Sequence, residues 1–310
     1  MGEVIMSAPN VLDCVSGEGW TIAQADSFEA TRCVPDKSVG LSVFSPPFAS
    51  LYTYSDSERD AGNCTDMNQF IRHFKYLVPE LLRITKPGRL CAIHCMPLPT
   101  SKARDGYIGL LDFRGWLARA MTSKGWIYHC ETAIWKDPVT AMQRTHAIGL
   151  LYKQLRKDSA LSRMGLADYV MFFRKPGDND EPIAHVAEDF PVDQWQKWAS
   201  PVWTDIDPSD TLQHRSARGA EDERHICPLQ LEVIRRCLVL YSNPGDIVFT
   251  PFLGIGSELY MALGGTTRAG LSVEPRRGIG IELKREYYEQ AARNLAAAKG
   301  KQLALPMGDP

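Results

Sequence analysis

Apolar and polar residues alternate along the N-terminal part of the chain in the order strand, helix, strand. Residues 39–44 are an apolar run that stops at two prolines, which predicts a short buried strand. Apolar residues then recur at helical spacing over 66–82, and residues 89–95 form the next apolar run. His94 falls in that run, where we expect a hydrogen-bonded core histidine rather than a ligand or a base. This order predicts a parallel sheet covered by helices.

The same alternation returns further along the chain. Asp112 is placed to cap a helix that runs through Met121, and residues 126–135 form an aromatic and β-branched run typical of a strand. In the C-terminal part the pattern predicts a helix opened by Pro228, strands at 246–250 and 277–282, and a closing helix at 284–298. We therefore predict an α/β fold.

Between these regular parts lies an irregular segment with an uneven charge distribution. Residues 136–175 carry eight basic and three acidic residues, whereas residues 176–224 carry four basic and twelve acidic ones. Such runs are commonly solvated faces, but the asymmetry favours an inserted segment with its own surface role. We predict three parts, 1–136, 137–222 and 223–310. Basic residues expected to contact a polyanion are Lys136, Arg144, Lys153, Arg156, Lys157, Arg163, Arg215 and Arg218.

Composition narrows the class of protein. The 310 residues are 44% hydrophobic, enough for a large core, and the net charge of −2 exerts no overall attraction on nucleic acid. The eight cysteines lack paired C-x-x-C spacing, which predicts reduced thiols and no metal site. The first twenty residues do not resemble a signal peptide, and no apolar run of eighteen residues occurs. We expect a cytoplasmic protein without membrane contact.

The first candidate site is the turn Ser45-Pro46-Pro47-Phe48, which directly follows the strand at 39–44. In open α/β sheets ligands bind at the carboxyl ends of strands, and two prolines make the backbone of such a turn stiff. A stiff turn can present its carbonyl groups to a ligand. The alternative is that the two prolines merely end the strand.

The second candidate site is a glycine-bearing turn between the strand at 246–250 and the next helix. Gly254 and Gly256 allow backbone to approach a ligand closely, but Leu259 stands where a dinucleotide fingerprint has a third glycine. Glu282 ends the following strand, where a carboxylate can accept both hydroxyls of a ribose; the alternative is a capping or surface glutamate. A ribose without a pyrophosphate indicates S-adenosylmethionine rather than NAD or FAD.

Six features stand in an order that resembles the S-adenosylmethionine-dependent DNA amino-methyltransferases in which the catalytic tetrapeptide precedes the cofactor turn. They are Asp26-Ser27, Ser45-Pro46-Pro47-Phe48, the segment 137–222, His225 to Pro228, Phe252-Leu-Gly254-Ile-Gly256 and Glu282. The likeness covers nearly the whole chain, and it is nearest to solitary enzymes of the phage type. It implies a Rossmann-like mixed seven-stranded sheet between helices, circularly permuted so that the cofactor half comes last.

The resemblance also implies roles for residues. Ser45, Pro46, Pro47 and Phe48 would hold the amino group of a flipped base, with the serine side chain and the Pro46 carbonyl as acceptors and Phe48 stacked on the base. The cofactor would be bound by Asp26, Ser27, His225, Pro228, Phe252, Gly254, Gly256, Ser257 and Glu282. The expected partner is double-stranded DNA, and the expected setting is a bacterial or phage-infected cell. Whether the protein forms a homodimer is left open.

The sequence leaves alternatives for which base is methylated and for whether the protein is an active DNA methylase. Serine at the first place of the tetrapeptide is commoner in cytosine-N4 enzymes of this family, whereas the likeness to phage-type enzymes favours adenine N6, which we narrowly prefer. A catalytically silent DNA-binding relative is less favoured, because the proline turn and Glu282 are both intact. Methylation of RNA or of a protein amide is a third alternative, against which stand the serine and the long basic segment.

Overall fold

The computed structural model describes residues 11–47, 64, 67–139, 152–161, 164–212 and 228–298. Its strands are β1 (Asp13–Gly17), β2 (Trp20–Gln24), β3 (Val39–Phe44), β4 (Thr85–Cys95), β5 (Leu98–Pro99), β6 (Leu110–Leu111), β7 (Ile127–Ile134), β8 (Asp168–Arg174), β9 (Val202–Trp203), β10 (Ile247–Thr250) and β11 (Arg277–Glu282). Its α-helices are α1 (Ser27–Ala30), α2 (Met67–Ile84), α3 (Lys102–Asp105), α4 (Phe113–Thr122), α5 (Tyr152–Leu155), α6 (Val192–Trp198), α7 (Leu231–Tyr241), α8 (Ser257–Ala262) and α9 (Arg285–Ala298).

Nine of the described strands form one mixed sheet in the order β1-β2-β11-β10-β3-β4-β8-β7-β9. The five strands from β2 to β4 in this order are parallel to one another. β8 runs antiparallel to both of its neighbours, β4 and β7. β3 from the N-terminal part pairs with β10 from the C-terminal part, so the two parts build the middle of the sheet together. The predicted fold class, a mixed α/β sheet between helices, is confirmed.

The sheet has nine strands where we expected seven, because one short strand is added at each edge. β1 forms a hairpin with β2, and its turn contains Gly19 with a φ of +82°. β9 adds two residues alongside the end of β7. The seven strands between these edges are the number expected. β9 has only two residues, and the residues of β1 are exposed or half-buried, so neither strand shows an apolar periodicity in the sequence.

β8 lies within the predicted middle segment 137–222 and yet is an interior strand of the sheet. Its residues Val170 to Phe173 are all buried, as is typical of a strand covered on both faces. The charge pattern of residues 136–175 gave no sign of it. The division into three parts stays a prediction, with the addition that the middle part contributes the interior strand β8 and the edge strand β9 to the sheet.

Helices cover both faces of the sheet. On one face α2 and α4 bury residues such as Phe70, Phe74 and Phe113 against β3 and β4, together with α1. On the other face α7, α8 and α9 pack against the alternate residues of the same strands, among them Leu41 and Ala92. Burial of each large apolar side chain contributes roughly 1.5–3 kcal/mol, so these two layers stabilise the sheet that positions the site. Within the described residues, no helix is both long and apolar enough to cross a membrane.

Candidate active site at the carboxyl edge of the sheet

Most of the predicted site residues that the structure describes lie where strands end at one edge of the sheet. The parallel strands β2, β11, β10, β3 and β4 all finish at this edge. β8 is antiparallel to β4, so β8 begins there, with Asp168. The turns after β3 and β10 are adjacent because these two strands are hydrogen-bonded neighbours. The turn at Ser45 and the turn at Gly254, predicted from distant parts of the chain to serve catalysis and cofactor binding, are therefore neighbours.

The glycine turn after β10 has the conformation that glycine permits. Gly254 has a φ of +54° and Gly256, the N-cap of α8, has a φ of +89°. Among the described residues, no atom lies within 4 Å of a Cβ placed on Gly254, whereas a Cβ on Gly256 would meet that of Ala291 at 3.3 Å. Left-handed backbone at both positions strains any L side chain, so the turn requires glycine. The open space beside Gly254 is suited to a ligand.

Glu282 joins the end of β11 to this turn. Its Oε2 accepts a hydrogen bond from the Gly254 amide at 2.7 Å, and its Oε1 accepts one from the Lys284 amide at 2.9 Å. The Glu282 carbonyl accepts from the Ala25 amide at 3.0 Å, at the end of β2. Asp26 follows as the N-cap of α1, where its carboxylate accepts from the Phe28 amide at 2.9 Å. Two carboxylates and the glycine turn thus lie at adjacent strand ends.

Phe252, in the glycine turn, makes ring contacts that link this turn to the end of β3, just before the turn at Ser45. Its ring meets that of Phe44, the last residue of β3, edge to face with centroids 5.7 Å apart. It also meets the ring of Phe28 in α1, with centroids 6.4 Å apart. Such aromatic pairs contribute about 0.5–1.5 kcal/mol beyond the area they bury. The ring of Phe252 therefore fixes the spacing between the two turns.

The hydroxyl of Ser45 contacts His94 on the neighbouring strand. Its Oγ lies 3.2 Å from Nδ1 of His94 and 3.4 Å from the His94 carbonyl oxygen. The register explains this contact, because Phe44 pairs with Ile93, which brings the next residues side by side. Ser45 is half-buried and Pro46 is buried, so the turn that carries Ser45 is packed against the rest of the protein. His94 is buried and hydrogen-bonded as expected, but it also reaches the candidate catalytic serine.

Asp168 extends this contact to a line of four side chains. Its Oδ2 lies 3.1 Å from Nε2 of His94 and forms an ion pair with the ammonium group of Lys136. Burial alone would raise the pKa of the Asp168 carboxyl, but its hydrogen bond with His94 and the nearby charges hold that pKa below its usual range. Asp168 was not among the residues predicted from the sequence, and Lys136 was assigned to DNA. The aromatic and apolar run at 169–173 was the signal in the sequence that a strand begins at Asp168.

The first turn of α8 buries two polar side chains close to the cofactor turn. The hydroxyl of Ser257 is buried and has no hydrogen-bond partner among the described residues. Desolvation raises the pKa of the Glu258 carboxyl to about 8, helped by the nearby charge of Glu282. A buried hydroxyl without a partner among the described residues, at the start of the helix that follows the glycine turn, fits a polar ligand in this turn. The residues present thus fit a nucleoside cofactor.

Some predicted site residues fall elsewhere. Pro228 is half-buried just before α7, which packs against α8. Lys153, Arg156 and Lys157 are exposed in and after α5, as a surface that contacts DNA requires. The residues Phe48, Arg144, Arg163, Arg215, Arg218 and His225 lie outside the described part of the chain.

A family model described as DNA methylase, for N6 and N4 methyltransferases, matches residues 39–293. The chain belongs to this family. The match includes both turns, the strand that ends in Glu282 and the line from Ser45 to Lys136. Family membership confirms the recognition made from the sequence and the predicted enzyme class, a DNA methyltransferase with S-adenosylmethionine as methyl donor. It does not separate adenine from cytosine.

The curated relatives are distant in sequence, although each match covers more than four fifths of this chain. The chain is 24% identical over 300 residues to the type II methyltransferase M.Cfr9I from Citrobacter freundii, covering 89% of this chain and 88% of the relative. It is 23% identical over 265 residues to the type II methyltransferase M.BamHI from Bacillus amyloliquefaciens. That match covers 83% of this chain and 53% of M.BamHI, so the chain spans about half the length of this relative.

Solved structures of DNA methylases share the fold. The complex of the DNA modification methylase TTHA0409 from Thermus thermophilus with S-adenosyl-L-methionine has a TM-score of 0.63 and 21% identity, covering 88% of this chain and 91% of the other. PvuII DNA methyltransferase, described as cytosine-N4-specific, has a TM-score of 0.62 and 16% identity, covering 89% and 86%. At these identities the likeness establishes the fold.

Proposed function

We propose that the chain transfers a methyl group to the exocyclic amino group of a flipped base in double-stranded DNA, with adenine N6 as the favoured target. The observation that carries the proposal is the position of Ser45, whose turn lies beside the glycine turn at the carboxyl edge of the sheet. Family membership supports the reaction class. The preference for adenine rests on the resemblance to phage-type enzymes.

The turn at Ser45 would make the amino nitrogen of the base a better nucleophile. The lone pair of an exocyclic amino nitrogen is delocalised into the base, which makes the nitrogen a poor nucleophile. The Ser45 hydroxyl and the Pro46 carbonyl can each accept one amino hydrogen, which favours a tetrahedral nitrogen and aims its lone pair. The stiff turn holds these acceptors in place, so no covalent bond to the enzyme is required.

The glycine turn and its neighbours would hold the cofactor. When bound, S-adenosylmethionine supplies a methyl group made reactive by its sulfonium. Glu282, at the end of β11, would accept hydrogen bonds from ribose hydroxyls, and Asp26 lies at the adjacent strand end. Phe252, Gly254, Gly256 and Ser257 would surround the methionine part. The space beside Gly254 and the unpaired hydroxyl of Ser257 support this assignment.

DNA would reach this edge with the target base turned out of the duplex, because a stacked base hides its amino group. Phe48 would stack on the base, which contributes about 1–3 kcal/mol in single-stranded recognition. The exposed side chains of Lys153, Arg156 and Lys157 would contact phosphates. We propose that the parts of 137–222 other than the sheet strands β8 and β9 read the target sequence. The homodimer stays a prediction, which light scattering can check.

Cytosine N4 is the second candidate target. Ser45 occupies the first place of the tetrapeptide, where cytosine-N4 enzymes of the family more often have serine. The structural similarity to PvuII methyltransferase, whose description gives cytosine-N4 specificity, points the same way. One serine hydroxyl can accept an amino hydrogen from either base.

Mass spectrometry of nucleosides decides between the targets. Unmethylated duplex DNA is incubated with the protein and S-adenosylmethionine, then digested completely to nucleosides. The proposal predicts N6-methyladenine, and N4-methylcytosine alone would establish the second candidate. A Ser45→Ala variant in the same assay should leave the DNA almost unmethylated, which controls for a contaminating methylase.

A further inference from the structure

Four polar side chains form a continuous line from the catalytic turn into the sheet. Ser45 contacts Nδ1 of His94, Nε2 of His94 contacts Asp168, and Asp168 pairs with Lys136. The side chains come from the end of β3, from β4, from the start of β8 and from just after β7. The side chains of His94 and Asp168 are 10% and 3% exposed. The line therefore depends on strand pairing rather than on one local motif.

The partners of His94 fix the direction of its hydrogen bonds. The carboxylate of Asp168 is kept ionised by the adjacent ammonium of Lys136, and an ionised carboxylate can only accept hydrogen bonds. Nε2 of His94 must then carry the hydrogen and donate it to Asp168. In the neutral imidazole this leaves Nδ1 as an acceptor, which faces the Ser45 hydroxyl at 3.2 Å.

This direction determines what Ser45 can offer a substrate. A serine hydroxyl has one hydrogen to donate and two lone pairs that accept. When that hydrogen is held by Nδ1 of His94, both lone pairs are left to face the amino group of a base. The competing contact, from the hydroxyl to the His94 carbonyl, is longer at 3.4 Å.

We infer that His94, oriented by Asp168 and Lys136, is a positioning residue that holds the Ser45 hydroxyl as an acceptor for the substrate amino group. This inference rests on the proposed function. His94 acts through Ser45 and makes no contact with the reacting atoms. Lys136 thereby has a role in the site, because its charge is engaged by Asp168 instead of being directed to a phosphate.

A double-mutant cycle tests whether His94 acts through Ser45. We expect His94→Ala to lower kcat for DNA methylation by roughly 10- to 100-fold, since small losses of positioning carry costs of this order. In a Ser45→Ala background the same change should lower kcat by no more than about twofold, because the residues act as one unit. Calorimetry should give the same affinity for S-adenosylmethionine in all four proteins, which also verifies that each is folded.

Two further variants separate positioning from support of the fold. His94→Asn keeps an acceptor near the place of Nδ1, so we expect it to restore kcat to within about fivefold of the wild type. Asp168→Asn lets the amide donate to Nε2 and so favours the other tautomer, which removes the acceptor from Ser45. We expect this variant to lose kcat as His94→Ala does, with unchanged cofactor affinity.

The outcomes separate this inference from the proposed function. Equal losses from His94→Ala with and without Ser45 would overturn the inference, and so would a His94→Asn variant as slow as His94→Ala. A wild-type protein that binds S-adenosylmethionine but methylates no DNA would instead refute the proposed function, and the inference with it.

Discussion

The amide of Gly254 donates a hydrogen bond to Oε2 of Glu282 at 2.7 Å, across 28 residues of sequence. This bond connects the glycine turn after β10 with the end of β11, two features that were predicted separately from the sequence. A carboxylate held there by backbone amides is preorganised to accept further hydrogen bonds from a ligand. The contact makes Glu282 the first residue to test in cofactor binding.

Glu282→Ala should weaken the binding of S-adenosylmethionine. Each hydrogen bond to a charged group contributes about 1.5–3 kcal/mol, so we expect the Kd to rise roughly tenfold to a hundredfold. Calorimetry measures the Kd directly. Glu289→Ala is the control, because Glu289 pairs with Arg285 on the exposed side of α9. Equal Kd values for wild type and Glu282→Ala would contradict the assigned role.

Gly254→Ala should lose cofactor affinity beyond what backbone strain explains. Gly270 is a matched control, because it also has a positive φ, +79°, and a Cβ placed on it also meets no atom of the described part of the chain within 4 Å. Left-handed backbone costs an alanine about 1–2 kcal/mol, so both variants should lose similar stability in thermal unfolding. Only Gly254→Ala should bind S-adenosylmethionine more weakly. The same affinity in both variants would show that no ligand uses the space at Gly254.

Glu258 should make the protein less stable as pH rises. Burial raises the pKa of its carboxyl from 4.5 to about 8, so between these values the folded protein holds a proton that the unfolded chain has released. The free energy of unfolding attributable to this group therefore falls across that window by up to about 1.4 kcal/mol per pH unit. The contribution is fully present below pH 4.5.

Denaturant unfolding of wild type and Glu258→Gln from about pH 4 to about pH 9 measures this effect, because that range spans both pKa values. The glutamine cannot ionise, so the variant should gain stability over the wild type progressively as pH rises. The difference in free energy of unfolding between the two proteins cancels the contributions of groups that titrate in both. Parallel stability profiles would contradict the prediction.

The exposed basic residues of and after α5 should contribute to DNA affinity in a salt-dependent way. Replacing Lys153, Arg156 and Lys157 together with alanine should reduce the slope of log K against log salt by about 0.9 for each phosphate that is no longer neutralised. Fluorescence anisotropy with duplex DNA at several salt concentrations gives the slope. Lys124→Ala is the control, since the exposed Lys124 lies just before β7, at the edge of the sheet opposite the Ser45 turn. An unchanged slope in the triple variant would place the DNA contact elsewhere.

Local sequence patterns predicted the parts of the site that one segment determines. The strand before Ser45 was identified by its apolar run, and the strand that ends in Glu282 was predicted with the bounds that the structure has. Asp112 was expected as a helix cap, and its carboxylate accepts the Gly115 amide at 2.8 Å. Turns, caps and strand ends follow from neighbouring residues, so periodicity and turn chemistry can identify them.

The polar line behind Ser45 could not be predicted in this way. His94 and Asp168 are 74 residues apart, and their contact depends on the register of β4 with β8. The basic charge of residues 136–175 gave no sign of β8, and it led to the prediction that Lys136 contacts DNA without showing that this lysine also pairs with Asp168. Pairing between distant strands is not written in local periodicity. The sequence therefore indicated which residues could act, and the sheet shows which of them meet.

The transfer of a tritiated methyl group from S-adenosylmethionine shows whether the protein methylates DNA and whether Ser45 is needed for this reaction. Unmethylated duplex DNA, RNA and a mixture of polypeptides are offered as separate acceptors to the wild-type protein and to Ser45→Ala. The proposed function predicts label on DNA with the wild type, a loss of that label with Ser45→Ala, and no label on the other acceptors. Label on RNA or polypeptide instead of DNA, or equal labelling of DNA by both proteins, would contradict it.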